Sequence, residues 1–194
     1  MKRGLPFGRL LLCGLWMSGE LFAQKRPFTF DEMMKVRRVS DPQLSPDGKW
    51  VAYTITVYDV EKNSKNTDIW LVPAGGGDAR QMTRSPKSDE RPRWSPDSKR
   101  LAFVSTRSGP SQIWILSIEA GEPTPVDTHG VEASGVLWSP DGGHLVFVSD
   151  VYPECSDAAC NEKKEKDRES NPVKAKVLDK LLFRHWNAWK DGKR

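Results

Sequence analysis

Cysteine and histidine are scarce in this 194-residue sequence, three of each, and the scarcity removes most metal chemistry from consideration. Cys155 and Cys160 stand close together, but no histidine or second cysteine pair lies near them at ligand spacing. No metal or cofactor is expected. A long apolar run is also missing: Leu10 to Phe22 falls short of the ~20 residues a membrane-spanning helix needs, and Glu20 interrupts it. Charge of one sign is missing too. The formal net charge is +4, and acidic and basic residues are interspersed rather than gathered into the basic stripe of a nucleic-acid binder.

What the first residues do contain is the pattern of an export signal. Lys2, Arg3 and Arg9 form a cationic region, Leu10 to Met17 an apolar one, and Leu21-Phe22-Ala23 a small-residue cleavage site. Cleavage between Ala23 and Gln24 is expected, leaving a product with no stable membrane insertion and a formal charge near +2, since Lys2, Arg3, Arg9 and Glu20 depart together. Leu10 to Gly14 loosely imitates a lipoprotein box around Cys13, but Leu12 is too bulky for the position before the lipidated cysteine. In an oxidising compartment the remaining pair, Cys155 and Cys160, is expected to close a short disulfide loop.

The middle of the chain repeats. Ser45-Pro46-Asp47-Gly48, Ser95-Pro96-Asp97-Ser98 and Ser139-Pro140-Asp141-Gly142 recur at separations of 50 and 44 residues. Leu44, Trp94 and Trp138 precede them, and β-rich runs starting at Trp50, Leu101 and Leu145 follow. A second motif, Asp68 to Val72, returns 44 residues later as Gln112 to Leu116. The turn letters have a physical reason: proline presets φ for a central turn position, aspartate suits the next, and glycine accepts the left-handed conformation that releases the following strand. Ser98 stands where the glycine belongs, so that turn is expected to be strained or of another type.

Four strands per repeat of 40 to 50 residues is the pattern of propeller blades. In the first unit the strands are expected over Pro42 to Leu44, Trp50 to Tyr58, Thr67 to Val72 and Ala79 to Thr83. A β-sandwich of hairpins would also give many short strands, but it does not require the long-range repeat. The fold class read from the sequence is therefore all-β, a partial β-propeller of four-stranded blades, preceded by a signal peptide and a short helix. The divisions expected are 1–23 for the signal, 24–41 for the helix and lead-in, and 42–194 for the propeller, with blades about 42–83 and 91–126 and a third from 135. Thr29 to Glu32 reads as a capping box with Phe28 and Met33 as a hydrophobic staple, and the helix is expected from Phe30 to Arg38. Asp41 before Pro42 is expected to be extended. The recurrent Trp70, Trp94, Trp114 and Trp138 read as packing between blades.

The repeat breaks after Val148. Where a third tryptophan strand is due, the sequence has Cys155 to Cys160 and then eight consecutive charged residues, Glu162 to Glu169, read as a solvated loop or exposed helix within an insertion over about 153–176.

Together the blade motifs, Tyr152-Pro153-Glu154-Cys155 and above all Arg184 to Arg194 resemble the N-terminal propeller of secreted bacterial peptidases of the prolyl oligopeptidase family, with turns similar to TolB-like periplasmic propellers. The resemblance implies an α/β-hydrolase domain following the propeller, with a Ser-Asp-His triad on a Gly-x-Ser-x-Gly elbow. That pentapeptide is not in this sequence, and His129, His144 and His185 read as structural or solvated, so no catalytic residue is assigned. The role implied is that of a propeller fragment restricting access to an active site for short peptides, inactive alone. A TolB-like protein-interaction module is the alternative, carbohydrate binding by Trp186 and Trp189 is a third idea, and self-association through an open blade edge is expected.

Overall fold

The computed structural model describes residues 27–119, 121–128, 131–175, 184–185, 188–189 and 193. A short helix, α1 (Phe30–Lys35), leads into two four-stranded antiparallel sheets and a two-stranded third. The first blade is β1 (Arg38–Leu44), β2 (Trp50–Asp59), β3 (Ser64–Pro73) and β4 (Arg80–Gln81), paired in chain order. The second is β5 (Asp89–Trp94), β6 (Arg100–Ser105), β7 (Gln112–Ser117) and β8 (Thr124–Pro125). The third has β9 (Gly135–Trp138) and β10 (Leu145–Val148), followed by α2 (Ala158–Ser170) and the short pair β11 (Arg184–His185) and β12 (Ala188–Trp189). The fold is the partial propeller that the repeat implied. The residues expected to form a signal peptide, Ala23 and Gln24 among them, lie outside the described residues, as does His129.

Blades stack because alternate residues of each strand point to opposite faces. In β6, Leu101 and Phe103 join Ala52, Ile69 and Leu71 of the first blade in one buried cluster, and Ala102 joins Ile113, Ala133 and Val136 in a second cluster against the third blade. The second blade is thus covered on both sides, and Leu101 to Ser105 are all buried. In the third blade, Val136 and Phe147 face the second while Leu137, Val146 and Val148 remain exposed. First strands touch across each seam, β1 with β5 and β5 with β9. That places the first strand of each blade innermost in the fan.

The helix begins as the sequence implies: Thr29 accepts from the Glu32 backbone N–H at 3.3 Å, and Glu32 accepts from that of Thr29. It ends sooner, at Lys35 rather than Arg38, because β1 already starts at Arg38 and takes Val39 and Ser40 into the ladder with β2. The first blade consequently begins before Pro42. Phe28 and Met33 are both exposed, so the expected staple buries little.

Asp41 is not extended but left-handed, with φ 48°, and Arg91 before Pro92 repeats it at φ 57°. Both pairs form bulges. Ser40 pairs with Thr54 and Gln43 with Ala52, so Asp41 and Pro42 together oppose the single residue Tyr53; Arg91 and Pro92 likewise oppose Phe103. A proline has no ladder hydrogen bond to lose at a bulge.

Candidate functional site

Three identical turns set the spacing of everything else. Ser45 donates its hydroxyl to Asp47 at 2.6 Å and accepts from the Trp50 N–H at 2.9 Å, while Asp47 accepts from the Lys49 N–H at 3.1 Å. Ser95 with Asp97 and Arg100, and Ser139 with Asp141 and His144, reproduce the arrangement. In all three the serine hydroxyl, first, and then a backbone N–H hold the aspartate below the usual carboxylate range. Ser98 adopts the same left-handed conformation as Gly48 and Gly142, at φ 59° against 71° and 70°. The turn is therefore the same type, and Ser98 Oγ accepts from the Asp47 N–H of the preceding blade at 3.0 Å.

The seams between blades carry repeated polar contacts. Trp94 Nε1 donates to the Gln43 carbonyl at 2.9 Å, and Trp138 Nε1 to the Arg93 carbonyl at 3.1 Å. Arg93 pairs with Asp41 at 2.9 Å across the first seam, and Arg91 donates to the Ser134 carbonyl across the second. The bulges thus bring Asp41, Arg91 and Arg93 to the inner strands, beside a hollow of about 530 Å³ that Gly135 and Val146 also line. The sequence reading missed this charged trio, because nothing local marks the two bulges as neighbours.

Within the second blade Asp89, fully buried, pairs with Arg107 at 2.7 Å, and Arg107 stacks over Trp114 at 4.8 Å. Burial, and then the charge of Asp89, raise the Asp68 carboxyl above its ordinary range, against hydrogen bonds from Thr83 and Gln81.

A second hollow, of about 390 Å³, lies where α2 faces the loops of the second blade; Gln112, Ala133, Tyr152, Asn161 and Glu165 line it. Tyr152, 7% exposed, donates its hydroxyl to Glu165 at 3.1 Å. Hydrogen bonding by Arg168, and then by Lys193, brings Glu165 down to about 2. The α2 helix occupies the charged run of the insertion and buries none of its residues. Cys155 and Cys160 are joined, with Cα atoms 5.4 Å apart. His144 is exposed, its Nδ1 4.0 Å from Asp141. Ser139 of the same turn meets His144 through the backbone, its hydroxyl accepting from the His144 N–H at 2.9 Å while it donates to Asp141, and its carbonyl accepts from the Gly142 N–H at 2.9 Å. Among the described residues no group of three or more histidine, cysteine or acidic side chains could hold a metal, and no helix is long and apolar enough to cross a membrane.

Comparison with known proteins agrees with this geometry. The chain is 38% identical over 99 residues to the uncharacterized peptidase YuxL of Bacillus subtilis, a match covering 50% of this chain and 15% of that protein. It is 25% identical over 168 residues to dipeptidyl-peptidase 5 of Porphyromonas endodontalis, covering 86% of this chain and 23% of the relative. The acylaminoacyl peptidase of Pyrococcus horikoshii shares the fold with a TM-score of 0.61 at 20% identity, over 83% of this chain and 22% of that one. The chain spans less than a quarter of the length of these proteins. The model of the TolB beta propeller domain, PD40, matches residues 33–168, a span that takes in the three turns, both complete blades and their seams, and the chain belongs to that family.

Proposed function

We propose that this chain is the N-terminal propeller portion of an exported serine peptidase acting on short peptides, and that it restricts access to a catalytic domain outside the sequence described. The carrying observation is the likeness to dipeptidyl-peptidase 5, which extends over 86% of this chain, more than the repeated blades alone span. The stacked inner strands support a gating role physically. Each is fixed by an indole hydrogen bond and a charged contact across the seam, which gives a rigid wall suited to excluding large substrates.

No nucleophile and base are paired among the described residues, so catalysis is assigned to no residue here. The test compares the purified chain with a version extended by whatever its gene encodes downstream, using acyl-amino-acid and dipeptide chromogenic substrates and a serine-directed phosphonate. Hydrolysis of short peptides but not of folded proteins by the extended form, with none by the chain alone, is the expected result. Turnover or labelling of the chain alone would overturn the reading.

A second reading, a TolB-like module for protein interaction, is favoured by the family model itself and by the exposed apolar residues of the third blade. Peptide hydrolysis by the extended form decides against it.

A further inference from the structure

The helix α2 has little reason to stay where it is. It is 13 residues long, buries none of them, and carries the run Glu162 to Glu169; isolated helices of this length are marginal in water because the first turn is costly to form. Its ion pairs, Lys166 with Glu162 and Lys193 with Glu165 among them, are of the partly or fully exposed kind that contributes little.

Along its length the helix is held by single polar contacts, Tyr152 to Glu165 and Glu154 to Lys164, and the densest set of ties lies at its N-terminal end. Asp157 caps the helix by accepting from the Cys160 N–H at 2.8 Å, and Cys160 is also bonded to Cys155. The cap therefore lies inside the covalent ring. That ring is tied to the blade through Tyr152, whose carbonyl accepts from the Cys155 N–H at 2.9 Å and whose own N–H donates to Asn161 at 2.8 Å. Asn161 in turn donates to the Asp157 carbonyl at 2.8 Å. A disulfide that closes the first turn supplies the nucleus the helix lacks, by removing loop entropy from the unwound state. Both cysteines are only half-buried, so a small thiol can reach them.

We propose that the Cys155–Cys160 disulfide is a redox latch: its reduction by a dithiol releases α2 from the blade and opens the hollow that Gln112, Ala133 and Glu165 line, leaving the stacked blades intact. One thiolate of the reductant attacks a sulfur of the pair and expels the other as a thiolate, which takes up a proton. The second thiol of the reductant then resolves the mixed disulfide. Cys155 and Cys160 end as two thiols, and the dithiol as its own disulfide, a transfer of two electrons and two protons.

Hydrogen exchange on the full chain, before and after treatment with millimolar dithiothreitol and alkylation, tests the latch. Amides of Ala158 to Ser170 should exchange faster by about tenfold or more, while those of β2, β3 and β6 keep their protection. The double variant Cys155→Ser, Cys160→Ser should exchange rapidly in this segment without reductant and respond no further to it. Unchanged protection of α2 after reduction, loss of protection throughout both four-stranded sheets, or failure of the dithiol to free two thiols would each overturn the proposal.

Discussion

Trp94 donates its indole N–H to the carbonyl of Gln43 on the neighbouring blade, and Trp138 does the same to Arg93. Leu44 occupies the corresponding place in the first blade and is exposed. One residue position therefore carries the seam wherever a blade precedes it. Trp94→Phe keeps most of the apolar contact and deletes the donor, leaving a partly buried carbonyl without its partner, at a cost of about 1–2 kcal/mol. Urea denaturation should show the loss for Trp94→Phe and for Trp138→Phe, and a change within error for Leu44→Phe.

Ser98 tests the balance between backbone strain and a cross-blade hydrogen bond. Ser98→Ala retains the left-handed conformation and loses the bond from the Asp47 N–H, so it should cost about 1 kcal/mol. Ser98→Gly loses the same bond but relieves a conformation that costs a non-glycine residue about 1 kcal/mol. It should come out near neutral. Equal destabilisation by the two variants in thermal unfolding would show that strain at Ser98 is negligible.

The buried pair within the second blade should be far more sensitive than a surface pair. Asp89→Ala leaves the Arg107 guanidinium, itself only 18% exposed, without its carboxylate, and should cost about 3–5 kcal/mol. Lys62→Ala removes the partner of Asp59 in an exposed pair and should leave the denaturation midpoint unchanged within error. Denaturant midpoints measured on both variants check the contrast.

Acid should act on the aspartates in opposite directions. Asp68 is raised in the folded state, so the native protein takes up its proton first, and the penalty of holding its charge is relieved as pH falls from neutral toward the ordinary value of 3.8. Asp47, Asp97 and Asp141 are lowered; their contribution is complete above 3.8 and is lost as pH falls below it through their folded values. Asp68→Asn should therefore flatten the dependence of stability on pH above that point, and Asp97→Asn below it. A Asp68→Asn profile parallel to that of the unaltered chain would contradict the assignment.

Leu137, Val146 and Val148 present to solvent the face that the second blade uses internally. The chain expressed alone should self-associate through it, and Val146→Lys with Val148→Lys should reduce the apparent mass in light scattering without lowering the unfolding temperature of the first two blades. An unaltered mass would place the association elsewhere.

The turns were legible in the sequence because their chemistry is local: a serine, a proline and an aspartate satisfy one another within five residues, whatever surrounds them, and their 50- and 44-residue spacing revealed the blades. The capping box at Thr29 was legible for the same reason, and so was the proximity of Cys155 and Cys160. The end of α1 was not, since helix propensity after Lys35 loses to the pairing of Arg38 and Val39 with β2. Nor was the left-handed Asp41. The ordinary preference of a residue before proline is extended, and it yields here because pairing on either side of the bulge leaves two residues opposite Tyr53. Which aspartate would be buried against Arg107, that Ser98 would answer the backbone of another turn, and that Asp41 would meet Arg93 were decided by tertiary structure alone. Asp89 and Arg107, 18 residues apart, are brought together by the pairing of β5 with β6, while the other two pairs lie 51 and 52 residues apart and meet only because one blade stacks on the next.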